Sequence, residues 1–115
     1  MDQVTEILID AHKILSEEVE WCQNTLVMEE RVNGNKVIIS ACALGALDMA
    51  AARAFNLAFD DRYGHEVQTA INEGESRLAA AINGPVKHVA DFNDAPETSK
   101  EDVLLLFKHA IELGE

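Results

Sequence analysis

A chain of 115 residues, 48% of them hydrophobic, is long enough for one buried core and too apolar to stay disordered. Its formal charge of −12 sets up a field that repels nucleic-acid phosphates, so direct DNA or RNA binding is not expected. The longest uncharged run, VIISACALGAL at 37–47, falls well short of the roughly 20 apolar residues that span a bilayer, so no membrane association is expected.

The acid is unevenly spread. Residues 1–30 carry eight acids against one base and residues 91–115 seven against two, while 31–90 balance. Two cysteines, Cys22 and Cys42, are too few for a disulfide framework. The opening MDQVTEILID is acidic where a secretory signal is basic. A cytoplasmic protein with reduced thiols is the expectation.

In chain order, residues 2–22 are predicted as an amphipathic helix. Val4, Ile7, Ala11, Ile14 and Trp21 recur at helical steps on one side. Asp2, Glu6, Asp10, Glu17 and Glu20 form an acidic stripe on another side, and these five are the candidate partner-binding residues. A β-hairpin over about 26–39 is centred on Asn33-Gly34, because a two-residue type I′ turn needs positive φ at both positions. Residues 40–59, with Ser40 as N-cap, are apolar on nearly every side and predict a central helix on which the first and last helices pack. Gly45 within it predicts a close neighbour, either the third helix near Gly74 or the turn at Phe92. A third helix is predicted over 65–83, stopped by Gly84-Pro85. The last, 98–113, opens on Thr98-Ser99-Lys100-Glu101, which reads as a capping box of Thr98 with Glu101. The expected fold is mainly α: four helices in one compact domain, 1–115, with a small β-hairpin between helix 1 and the central helix.

No phosphate-cradling loop, nucleophile elbow, H-E-x-x-H or C-x-x-C motif is present, so no catalytic residue, metal ligand or cofactor is assigned. A small cluster does carry chemistry. His88, Asp91 and Asp94 are spaced by three, and could present one nitrogen and two carboxylates. Val86, Val89 and Phe92 share that spacing, which equally describes a helical turn with an apolar and a polar side. Asn93 and Asp94 before Pro96 fit Asx turns leading into the last helix. Asn93, Asp94, His88 and Asp91 are therefore the candidate ligand-binding residues, with a structural capping role as the competing reading.

The CALGAL element, Cys42–Leu47, and the later FNDAPETSKEDVLLLF resemble a family of small actinobacterial and phage proteins catalogued as a domain of unknown function. The matching positions are Cys42, Gly45, Ala46, Leu47, Phe92, Asn93, Asp94 and Pro96. The resemblance implies a phage or actinobacterial origin and supplies no catalytic residues. The expected function is a non-enzymatic accessory factor that binds a protein partner with a basic surface. The alternative is a small-ligand or metal-binding protein with a pocket between Cys42–Leu47 and Phe92–Pro96.

Overall fold

A computed structural model describes residues 2–59, 63–84 and 86–114. Among the described residues the domain is mostly helical, with five α-helices and one three-stranded sheet, against the expected four helices and a two-stranded hairpin. Helix α1 spans Gln3–Lys13, capped by Asp2, whose carboxylate accepts from the Thr5 amide at 2.7 Å. Apolar Val4, Ile7, Leu8 and Ala11 fall on its buried side. A π-helical turn, Ile14–Glu18, follows. There the Ser16 hydroxyl donates back to the His12 carbonyl at 2.8 Å, and the Val19 amide reaches five residues back to Ile14.

Helical structure ends at Glu18 and does not run to 22 as periodicity predicts. Val19 is extended, and strand β1, Glu20–Trp21, pairs parallel with Ser40 and Ala41. Helix periodicity cannot see that pairing, nor the bond the Trp21 indole makes to a distant residue. Strands β2, Val27–Val32, and β3, Asn35–Ala41, run antiparallel, with an irregularity beside Met28 and Glu29. Between them Asn33 (φ 52°) and Gly34 (φ 82°) both adopt left-handed backbone. The sheet order is β1-β3-β2, which leaves β2 an edge.

Helix α2 spans Ala43–Ala54 and begins later than expected, because Ser40 and Ala41 are taken by β3. Its cap is Cys42, whose Sγ accepts from the Gly45 amide at 3.4 Å. It ends at Phe55, after which Asn56 turns left-handed (φ 56°). Helix α3 is His65–Ala81, α4 is a short Val89–Asp94, and α5 is Lys100–Leu113. Helix α3 stops before the expected Gly84: its C-cap, Ile82, is extended, so Gly84, though left-handed (φ 108°), lies two residues past the cap, and Pro85 lies outside the described residues. The cap of α5 is Ser99 with Asp102, not Thr98 with Glu101. Both readings satisfy the sequence pattern. A turn after Ala95, however, takes the Thr98 amide onto the Ala95 carbonyl, leaving Ser99 to start the helix.

Helix α1 is packed against α2, α3 and α5, and α5 rests chiefly on α1 and α3 where packing on α2 was expected. The centre is filled by Ile7, Leu8, Ile14, Leu15, Leu47, Leu78, Val103 and Phe107, all essentially inaccessible to solvent. Alanines of α2 line its contacts with α1 and α3 and let those helices approach. The close neighbour of Gly45 is neither α3 nor the Phe92 turn. A Cβ there would overlap the backbone carbonyl of Leu26, where the chain enters β2. That carbonyl also accepts from the Cys42 amide at 3.0 Å. Gly45 therefore seats the root of the β2–β3 ribbon on the first turn of α2.

Candidate functional site

Two surfaces compete for function: the junction containing Asn93, and the β2–β3 ribbon. At the junction, the first turn of α2 leaves amides without intrahelical acceptors. The Asn93 side-chain oxygen takes the Ala43 amide at 2.9 Å and the Trp21 indole N–H at 2.7 Å. Its side-chain nitrogen donates to the Cys22 carbonyl at 3.1 Å and to Asp94 Oδ1 at 2.9 Å. Two acceptor positions and two donor hydrogens are all an asparagine amide has, and the residue is only 1% exposed. No polar capacity of its side chain is left for a ligand.

Its neighbours complete the junction. Asp94 Oδ1 also accepts the Asn24 amide at 2.8 Å, with Asn24 itself left-handed (φ 66°). Gln23 Nε2 donates to the carbonyls of Asn93 and Ala95, the orphan end of α4. The Asn93 and Asp94 side chains thus bond residues 50 to 72 positions away and not the start of α5. The local Asx-turn expectation gives way to a long-range one. His88 sits at the N-cap of α4 with no side-chain cap bond, and both His88 and Asp91 are exposed. Among the described residues no three His, Cys, Asp or Glu side chains are grouped as a metal ion would need.

Cys22 and Cys42 lie near Asp94 in this junction. Burial pushes the Cys22 thiol up, and Cys42 and Asp94 push in the same direction. Burial likewise pushes Cys42 up, against the amides of Gly45 and Leu44. Both stay protonated near neutrality and are poor nucleophiles.

The five candidate partner-binding carboxylates separate into two groups. Asp10 is gripped by Arg53 at 2.8 Å, as is Glu18, a carboxylate outside the five, also at 2.8 Å. Asp2 caps α1 and meets Arg77 at 3.2 Å. Arg77 also donates to the Thr5 hydroxyl and the Ala110 carbonyl, tying α1, α3 and α5 together. Its Nε is buried without an acceptor. A cleft of about 800 Å³ lies beside it, lined by Asp2, Glu66, Asn72, Glu73 and Arg77 among others. Glu6, Glu17 and Glu20 are exposed.

The ribbon was not singled out as a site by sequence. Every residue from Met28 to Val37 is exposed. Strand alternation places Glu29, Lys36 and Ile38 toward the body, where they line a shallow space with Val19, Met49 and Phe59. Met28, Val32 and Val37 fall on the opposite, outer face, at 48%, 47% and 42% exposure. Ile39 at the strand irregularity is 36% exposed. Apolar residues on both faces of one ribbon were the available signal. A ribbon packed on one side needs them only on that side.

A family profile described as "Family of unknown function (DUF6197)" matches residues 1–113. No curated protein and no solved structure matches the chain.

Proposed function

The chain belongs to the DUF6197 family of unknown function, and we propose that it is a non-enzymatic protein-binding factor whose recognition element is the β2–β3 ribbon. The observation that carries this reading is the outer face of Met28, Val32 and Val37, exposed on a strand pair whose edge is unpaired. Apolar side chains cost free energy in water that a partner recovers by covering them, at about 25 cal/mol per Å² of apolar surface. The exposed carboxylates Glu6, Glu17 and Glu20 then favour a partner with a basic surface, raising on-rate and specificity more than affinity. A cytoplasmic accessory role in a bacterium or phage is consistent with this chemistry.

Affinity capture from bacterial lysate tests the reading. The wild type is expected to retain a stoichiometric partner that salt releases, and Met28→Ser/Val37→Ser to lose it at an unchanged melting temperature. Equal capture by the double variant, or no partner across several lysates at low salt, would overturn it.

A further inference from the structure

We infer that the free edge of β2 pairs with the same edge of a second copy of this chain, giving one six-stranded sheet across a two-fold axis. The inference rests on the ribbon being the recognition element, and it names what meets its edge.

The register follows from the turn. In a two-residue hairpin the flanking residues, Val32 and Asn35, exchange both backbone hydrogen bonds. Alternate residues do the same, so Glu30 turns its amide and carbonyl toward Val37. Arg31 and Glu29 turn theirs outward, to the edge that no strand among the described residues covers. Two such edges meeting antiparallel satisfy these groups when Glu29 of one copy lies opposite Arg31 of the other, and the reverse. The two-fold axis then passes through Glu30.

Side chains favour the same register. It sets two Glu29–Arg31 pairs of opposite charge directly across the new junction, Met28 against Val32 on the outer face, and one like-charge pair, Glu30 on its own copy, so two attractive pairs stand against one repulsive pair. Shifting the centre to Glu29 also leaves one like-charge pair, Glu29 on its own copy, but sets Arg31 opposite Val27 with no opposite-charge pair to offset it. Charged residues on an edge strand ordinarily deter pairing. Here the two signs are spaced so that one antiparallel register attracts. The chain carries −12 overall, yet β2 and β3 together hold two acids and two bases, so contact through the ribbon keeps the acidic remainder apart. The combined sheet joins the two outer faces, setting Met28, Val32 and Val37 of both copies around the central pair of Glu30 carboxylates and doubling the surface offered to a partner. Edge pairing of six-residue strands buries little area, so the dimer is weak and concentration-dependent.

Sedimentation velocity across a micromolar-to-millimolar series tests the register. The wild type is expected to shift from monomer to dimer. Glu29→Arg and Arg31→Glu are each expected to weaken the dimer at least tenfold, while an equimolar mixture of the two forms a heterodimer. The combined swap Glu29→Arg/Arg31→Glu is expected to restore the homodimer. Glu29→Arg makes the chain less negative, so weakening there separates local pairing from net charge. Melting temperatures of these exposed variants confirm that each is folded. A monomer at every concentration overturns the inference, as does a dimer that both single variants leave intact. Either result leaves capture of a partner by the outer face, read with Met28→Ser/Val37→Ser, to be judged separately.

Discussion

Asn93 illustrates how a single side chain can hold three chain segments. Replacing it with Ala strands the Ala43 amide, the Trp21 indole N–H and the Cys22 carbonyl together. Each buried polar group left unpaired costs roughly 1–3 kcal/mol, with some relief from entering water. Asn93→Ala is therefore expected to lose about 3 kcal/mol in a denaturant unfolding series. Asp94→Ala, which loses one acceptor in a half-buried position, is expected to lose about 1 kcal/mol. Near-equal losses would show that Asn93 is no more than a cap. Gly45 and Gly74 make a second pair at this scale. A Cβ at Gly45 meets the Leu26 backbone, which cannot rotate away, whereas one at Gly74 meets Leu47 Cδ1 at 2.8 Å, the end of a side chain. Gly45→Ala is expected to destabilise by about 1–3 kcal/mol despite the better helix propensity of Ala. Gly74→Ala is expected to cost less, because Leu47 has a rotamer to give. Unfolding midpoints of the two variants decide between them.

Among the elements, Arg53 does for α1 and α2 what Asn93 does for the junction. Its guanidinium forks onto both oxygens of Asp10 and both of Glu18, so the end of α2 is pinned to α1 and to the π-helical turn. Those carboxylates push the guanidinium pKa up. The side chain is 45% exposed, so screening limits its worth. Arg53→Lys is expected to lose about 1 kcal/mol at low salt, since an ammonium cannot make both forks. The gap between variant and wild type should narrow as salt rises, and chemical denaturation with urea at two ionic strengths measures it. An unchanged gap would mean that packing of the Arg53 stem, and not its charge, matters.

The whole molecule loses stability toward acid, in an order set by the groups whose pKa the fold displaces. His12 is held below its ordinary 6.5 by burial first and then by Lys108, with Glu17 pulling the other way. The unfolded chain therefore takes up this proton before the folded one does. Stability is full above about pH 6.5 and falls as pH drops from there toward the folded value. Glu18 is held below its ordinary 4.5 by the hydrogen bond from Arg53, and Asp2 below 3.8 by the Thr5 amide. Their contributions are present above those ordinary values and are lost as pH falls through the lower folded ones. His12→Gln is expected to flatten the stability curve between about pH 7 and 5, leaving the carboxylate-driven loss below pH 4 in place. A slope unchanged by the substitution would remove His12 from this account.

Composition and periodicity determined that the chain is one compact, mostly helical domain, because apolar residues at helical steps must be buried whichever helix covers them. They also left no helix, among the described residues, long and apolar enough to cross a membrane. The tertiary structure decided what depends on partners far apart in sequence. Trp21 reads as the end of a helix until Ser40, Ala41 and Asn93 are brought beside it. The start of α5 fits either Thr98 or Ser99 until the turn at Ala95 claims one amide. Asn93 reads as a local turn residue because its 50-residue reach to Ala43 leaves no trace in neighbouring positions. Apolar residues on the outer face of the ribbon look like any half-buried strand until the rest of the fold leaves them uncovered. Local sequence fixes what a residue can bond, and the fold fixes which partner arrives.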